Sequence, residues 1–136
     1  MRFVACATII TSGAVGLIGS ALAADMTGAE IKAFISDKTV YLETTAASAS
    51  GKAGQGVIYW AGNGTALYKT PPGPIFHGTW ETKGNTLCVD WKERPNNPCV
   101  RYDKTGDVVT VIDAASGQPR AKVVKTAAGN AENLKP

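Results

Sequence analysis

The chain has 136 residues, of which 44% are hydrophobic and 18% are charged. This length suits a single domain, and this composition excludes a disordered or highly charged chain. Lys and Arg number 14 against 11 Asp and Glu, and the net charge of +3 is too small to indicate the clustered basic face of a nucleic-acid-binding protein.

Residues 1–24 are predicted to be a cleaved signal peptide. Phe3–Leu22 is apolar or small and carries no charge, and Ala21-Leu22-Ala23 matches the small-x-small cleavage pattern, with the cut before Ala24 or Asp25. Several Ser, Thr and Gly residues dilute the apolar stretch, which argues against the alternative of a membrane anchor. We therefore expect a periplasmic or secreted protein with no membrane span after cleavage.

Residues 27–37 are predicted to form one short helix. Thr27 is a suitable N-cap, and Glu30 follows three residues later, as in a capping box. An apolar stripe at helical spacing should pack on the rest of the domain and consists of Ile31, Phe34 and Ile35.

From Thr39 onward the pattern changes to about eight short β-rich runs separated by turn residues. The runs cover residues 39–44, 55–61, 65–69, 75–82, 86–91, 99–103, 108–113 and 119–125. Asn63-Gly64 is a strong hairpin signal, and the Ala-, Ser- and Gly-rich residues 45–54 are typical of a flexible loop. Residues 126–136 lack apolar periodicity and are predicted to be a flexible C-terminal tail.

These elements predict one mainly β domain over residues 25–125. Short links between successive strands favour an antiparallel meander over a Greek key. A meander that closes or curves strongly protects its edges, so we expect a small barrel or a strongly curved sheet with one N-terminal helix.

The cysteines predict one disulfide bond. Of the three cysteines, Cys6 leaves with the signal peptide, and Cys88 and Cys99 remain as a single pair in an oxidising compartment. Two thiols at this spacing neither fill a zinc site nor form a Cys-x-x-Cys redox motif. The closed loop should stabilise the fold by roughly 3 kcal/mol.

No catalytic, metal or cofactor motif emerges from the sequence. His77 is the only His and therefore the only candidate imidazole base, but no Gly-x-Ser-x-Gly motif accompanies it. The glycines of residues 51–56 precede a strand rather than a helix and lack the Gly-Lys-Ser/Thr of a phosphate loop. The carboxylates are scattered over strand ends and turns. We expect no enzymatic activity, no cofactor and no metal.

Aromatic residues occur on nearly every predicted strand. Strand alternation should place Trp60, Trp80 and Trp91 inside, where they fill the core or line a pocket for an apolar or aromatic ligand. The side chains on the opposite face of these strands are expected to be partly exposed and to form a recognition surface. The candidate ligand or partner contacts from both registers are Tyr59, Tyr68, His77, Trp80, Trp91 and Tyr102.

Several motifs resemble a family of small exported bacterial proteins that is known as domain of unknown function 995. The resemblance spans residues 26 to about 125 and rests on Met26 to Lys32, Thr39-Val40, Gly64-Thr65-Ala66, Ile75-Phe76-His77-Gly78-Thr79-Trp80, Leu87-Cys88-Val89-Asp90-Trp91 and Cys99-Val100-Arg101-Tyr102. It implies a periplasmic or secreted location and no particular activity. A weaker likeness to periplasmic lysozyme inhibitors lacks their Ser-Gly-x-x-Tyr stretch, because Ser50-Gly51 is followed by Lys52-Ala53-Gly54.

Taken together, the sequence predicts an exported, monomeric binding module without catalytic activity. Its partner would be a small apolar or aromatic ligand, or a protein of the cell envelope or the secreted fraction. The alternative is a secreted protein-interaction factor, such as an inhibitor of the lysozyme type. A cavity inside the barrel would favour a ligand-binding module, and a filled barrel would favour the interaction factor.

Overall fold

Alternating side chains and regularly spaced turns produce nine strands and one helix in the computed structural model, which describes residues 23–136. The predicted signal peptide, residues 1–24, lies outside the described residues except for its last two positions. The elements are β1 (Ala24–Asp25), α1 (Gly28–Ile35), β2 (Lys38–Thr44), β3 (Gly54–Trp60), β4 (Thr65–Lys69), β5 (Ile75–Lys83), β6 (Thr86–Trp91), β7 (Val100–Thr105), β8 (Val108–Asp113) and β9 (Pro119–Ala128).

Strands β2 to β9 form a closed, eight-stranded antiparallel barrel, which confirms the predicted mainly β fold and its meander. Each strand pairs with the next one along the chain, and β2 pairs with β9 to close the ring. Closure gives the first and last strands of the meander a partner and leaves no free sheet edge between them.

The join between β6 and β7 is the weakest in the barrel. These strands share one residue pair, Leu87 with Val100, whereas β7 and β8 share six. The short strand β1 occupies the remaining part of this edge of β7, where Asp25 lies opposite Asp103. Alternation over two residues is too short to be recognised in a sequence, so β1 was not among the predicted strands.

The disulfide bond between Cys88 and Cys99 spans this weak join. Cys88 lies in β6, and Cys99 immediately precedes β7. The bond therefore ties together two strands that few backbone hydrogen bonds connect. It also closes the loop over residues 92–99 at its base.

Helix α1 covers one end of the barrel. The Thr27 hydroxyl accepts a hydrogen bond from the Glu30 amide at 3.2 Å, as expected of the predicted N-cap. Ile31 and Ile35 are fully buried. The helix ends at Ile35, two residues before the predicted position, because the chain must turn into β2 and Asp37 adopts a left-handed conformation with φ of 55°.

Residues 126–136 lie against the barrel, in contrast to the predicted flexible tail. Strand β9 continues to Ala128, and the Thr39 hydroxyl donates to the Gly129 carbonyl at 2.7 Å. Leu134 is buried, and its amide donates to the Asn130 side chain at 2.9 Å. The segment docks through one apolar side chain and isolated hydrogen bonds, which produce no periodic pattern in the sequence.

The two ends of the barrel differ. The helix and the turns that follow β3, β5 and β7 lie at the closed end, whereas the longer loops that follow β2 and β6 lie at the other, here called the open end. The loop over residues 45–53 follows β2, and the loop over residues 92–99 follows β6. Within residues 23–136, no helix is long and apolar enough to cross a membrane.

Candidate ligand-binding site

A cavity of about 70 Å³ lies inside the barrel, beneath the two long loops of the open end. An eight-stranded barrel is just wide enough for its side chains to fill it or to leave room for one small ligand. Here the interior is not filled completely. Its walls are mainly apolar and aromatic, and they include Leu42, Ile58, Trp60, Tyr68, Trp91 and Tyr102.

The aromatic wall is a connected cluster. The ring centroids of Tyr68 and Trp91 are 5.6 Å apart, and the ring centroids of Trp91 and Trp60 are 6.2 Å apart. Glycines on the neighbouring strands make room for these rings, since a Cβ at Gly56 would lie 2.7 Å from the Tyr68 ring and one at Gly78 would lie 2.7 Å from Trp91. The ring packing holds the wall in place and limits how far it can collapse into the cavity.

Two polar atoms of this wall have no hydrogen-bond partner. They are the indole nitrogen Nε1 of Trp60 and the hydroxyl oxygen of Tyr68, and each residue is only 2% exposed. The indole of Trp80 differs, because it donates to the carbonyls of Ala61 at 2.9 Å and Thr65 at 3.1 Å. A buried polar atom without a partner costs about 1–3 kcal/mol, so these two groups reduce the stability of the packed wall.

The Tyr68 hydroxyl lies in a polar patch at the open end. Burial raises the pKa of the Tyr68 phenol, and the hydroxyls of Ser50 and Ser48, which lie near hydrogen-bonding distance of the phenol oxygen, act in the opposite direction together with the charge of Arg120. The cavity therefore changes from apolar walls in its depth to polar and charged groups near the loops.

Arg120 is the charged residue at this polar end. The pairing of β8 with β9 is irregular between Val111 and Ile112, and Arg120 is the extra residue of this bulge. Two consecutive side chains of a bulge can face the same side, and both Arg120 and Ala121 line the cavity. The Arg120 side chain is 8% exposed, so a full positive charge lies inside the protein.

The charge of Arg120 is only partly compensated. The nearest carboxylate oxygen belongs to Asp113 and lies 3.9 Å from the guanidinium, beyond hydrogen-bond distance. Asp113 accepts hydrogen bonds from the amides of Ser116 at 2.9 Å and Ala115 at 3.0 Å, and these bonds lower the pKa of its carboxyl. Burial, followed by the positive charge of Arg94, lowers the pKa of Arg120, but a guanidinium remains charged in proteins.

Arg94 links the two loops above the cavity. Its Nη1 donates to the Ser48 carbonyl at 2.9 Å, which joins residues 92–99 to residues 45–53. Within the second loop, the Asn97 side-chain nitrogen donates to the Arg94 carbonyl at 2.9 Å. These contacts order the residues above the cavity. Residues 45–53, which the sequence predicts to be a flexible loop, are thus held by specific hydrogen bonds.

The predicted contact residues separate into an inner and an outer set. Trp80 and Trp91 lie inside, as predicted, and Tyr59 and His77 lie on the outer face, half-buried. Trp60 also lies inside, as predicted.

The predicted partial exposure of Tyr68 and Tyr102 is wrong, because both residues are 2% exposed and point inward. Tyr68 lies opposite the buried Ile58, and residues paired across antiparallel strands face the same side of the sheet. In β7, the charged residues on either side of Tyr102 already indicated an inward Tyr102 by simple alternation.

His77 pairs with a carboxylate on the outer face of the barrel. Its Nδ1 lies 2.6 Å from Glu93 Oε1, and its amide donates to Glu93 Oε2 at 2.8 Å. Burial opposes the charged carboxylate, but the hydrogen bonds from His77 outweigh this effect and lower the pKa of Glu93. Among residues 23–136, Glu93 is the only side chain that hydrogen-bonds the His77 ring. The pair stabilises the loop that follows β6 and does not reach the cavity.

Sequence reasoning missed Arg120, the charged residue of the cavity. Alternation along β9 places it on the face opposite Ala121, and only the bulge redirects its side chain. A long basic residue directly after Pro119, at the start of a strand, carries no signal of an inward position. Within residues 23–136, no three His, Cys, Asp or Glu side chains come together in a way that could hold a metal ion.

Comparisons with protein-family models, with curated proteins and with solved structures find no match to this chain. The resemblance to the domain of unknown function 995 family therefore stays a prediction. The cavity itself and the groups that line it are the basis for inferring what the protein does.

Proposed function

We propose that the mature protein is an exported binding module that holds one small, partly apolar ligand inside its barrel. The observation that carries this proposal is the cavity of about 70 Å³, which has a packed aromatic wall that includes Trp60, Tyr68 and Trp91 and the guanidinium-bearing Arg120 at its polar end. An apolar pocket with a few converging polar groups is the usual arrangement of a small-molecule site. The wall supplies apolar contact area, and the polar groups near the loops would orient the ligand.

The export part of the proposal rests on the leader pattern and on the disulfide. Residues 1–24 have the composition of a signal peptide, and the bond between Cys88 and Cys99 suits an oxidising compartment such as the periplasm or the extracellular space. A ligand that this protein meets would thus be present outside the cytoplasm.

The proposal includes no catalytic step. His77, the only His of the chain, lies on the outer face and is bonded to Glu93. At the cavity, the hydroxyls of Thr44 and Ser48 donate to the Lys52 carbonyl, at 2.8 Å and 3.1 Å, and are not paired with a general base.

The alternative of a protein-interaction factor has less support. Among the described residues, the exposed large hydrophobic side chains are Val108 and Val124, and single exposed apolar residues are normal on a protein surface. A partly empty interior also favours a ligand-binding module over a filled interaction scaffold.

Nuclear magnetic resonance of the ¹⁵N-labelled mature protein would test the proposal. Titration with three small probes, butyrate, butyramide and 1-butanol, should shift the indole N–H resonance of Trp60 with at least one of them, because the Trp60 side chain lines the cavity and its resonance senses a molecule that packs on the ring. The Trp80 indole is the internal control, since it is bonded to Ala61 and Thr65 and should shift much less. If none of the probes shifts the Trp60 resonance, the cavity holds only water and the proposed function is wrong.

A further inference from the structure

We propose that the ligand of the barrel site is a small amphiphilic anion, with an apolar chain of about three carbon atoms and one carboxylate that binds the Arg120 guanidinium. The inference rests on the proposed function, because it names the class of molecule that the same cavity would hold. It is carried by a buried cation at the polar end of an otherwise apolar cavity.

Arg120 lacks the hydrogen bonds that a buried guanidinium requires. The group has five N–H donors, yet it forms no hydrogen bond with another side chain or carbonyl of residues 23–136, and its nitrogens, unlike Trp60 Nε1, are not fully cut off from solvent. Asp113 Oδ2 attracts the charge from 3.9 Å without accepting a hydrogen bond, and Asp113 Oδ1 accepts from the turn amides of Ala115 and Ser116, which hold the carboxylate in the turn. A buried charge is expensive unless it is paired and hydrogen-bonded, so the site favours an anionic partner from outside the chain.

The neighbouring groups also favour a negatively charged occupant. Arg94 adds a second positive charge close to Arg120. Asn97 Oδ1 is an unpaired acceptor in the cavity lining, but it is neutral and cannot compensate a positive charge. A carboxylate accepts hydrogen bonds in two directions from a guanidinium and suits this excess of donors.

The size of the cavity restricts the apolar part of the ligand. Its volume of about 70 Å³ is roughly half of the ~150 Å³ cavity that admits benzene. A long fatty-acid chain would not fit without displacing the packed rings of Trp60, Tyr68 and Trp91. A short chain fits against these rings and leaves its carboxylate at the end where Arg120 lies.

The test compares two probes of the same shape, butyrate and butyramide, which differ in charge. Affinities for the mature protein are measured from the Trp60 indole resonance, and the Nε–H resonance of Arg120 reports directly on contact with the carboxylate. Butyrate should bind about tenfold or more tightly than butyramide, which is the ratio that a charge-assisted hydrogen bond supplies. Only butyrate should shift the Arg120 resonance.

Two variants assign the effect to a residue. Arg120→Met should abolish the preference for butyrate, so that the ratio of the butyrate and butyramide affinities falls to about one. Arg101→Met is the matched control, because Arg101 pairs with Asp25 at 2.7 Å on the outer face and its loss should not change the ratio. Should Arg120→Met fail to fold, the wild-type ratio and the Arg120 resonance still decide the question.

Each result has a distinct meaning. Equal binding of both probes would overturn the anion inference and leave the proposed function intact, whereas no response of the Trp60 indole to either probe or to 1-butanol would overturn the proposed function itself. Preference for butyrate that persists in Arg120→Met would show that another cation binds the carboxylate, and the assignment to Arg120 would be wrong.

Discussion

Filling the cavity should stabilise the protein and at the same time remove its binding site. Ala121 lines the cavity beside Arg120, and Ala121→Leu adds three carbon atoms that point into it. At about 24 cal/mol per Å³, complete filling of 70 Å³ corresponds to about 1.7 kcal/mol. Some of this gain is lost to imperfect packing, so we expect the free energy of unfolding to rise by about 1 kcal/mol.

The assay combines urea denaturation with the probe titration. Ala121→Leu should unfold at a higher urea concentration than the wild type, and butyrate should no longer shift its Trp60 indole resonance. Ala33→Leu is the matched control, because it adds the same atoms to an exposed position of α1 and should change neither property. Wild-type butyrate affinity in Ala121→Leu would refute the placement of the site inside the barrel, whether or not the stability had changed.

Three further predictions concern the rest of the fold. Replacement of both Cys88 and Cys99 by Ala should lower the free energy of unfolding, measured by urea titration, by about 3 kcal/mol. The reason is that the disulfide, which joins residues 11 positions apart, restricts the unfolded chain and the variant lacks this restriction. A decrease below about 1 kcal/mol would contradict this prediction. The folded pKa of Glu93 lies below 4.5, so its stabilising effect is present above about pH 4.5 and is lost as the pH falls through the folded pKa. His77→Ala should raise the Glu93 pKa, measured by NMR titration of the carboxyl group, and should change the free energy of unfolding by no more than about 1 kcal/mol. An unchanged Glu93 pKa would show that the His77 ring has no part in the shift. Leu134→Ala should cost about 2 kcal/mol if the C-terminal segment is docked in solution, and a stability equal to that of the wild type by urea denaturation would instead support a loose tail.

Local sequence signals determined most of the secondary structure. Turn residues such as Asn63-Gly64 separate the strands, and the side chain of Thr27 caps the helix, because both effects depend on residues within a few positions of one another. The pairing of Cys88 with Cys99 also follows from the sequence, since no other cysteine remains after residue 24. Short links between strands were enough to indicate the meander.

The candidate site depends on contacts between residues that are distant in the sequence, and only the tertiary structure decided it. The bulge that turns Arg120 inward arises from the pairing of β8 with β9, and the inward position of Tyr68 follows from its pairing with Ile58. In β4, Leu67 and Tyr68 lie on opposite faces of the strand. Each face therefore carries one large hydrophobic residue, and alternation alone could not decide which face points into the core. The cavity is the space left after all eight strands have closed, and its volume is a property of the whole ring that no single segment encodes.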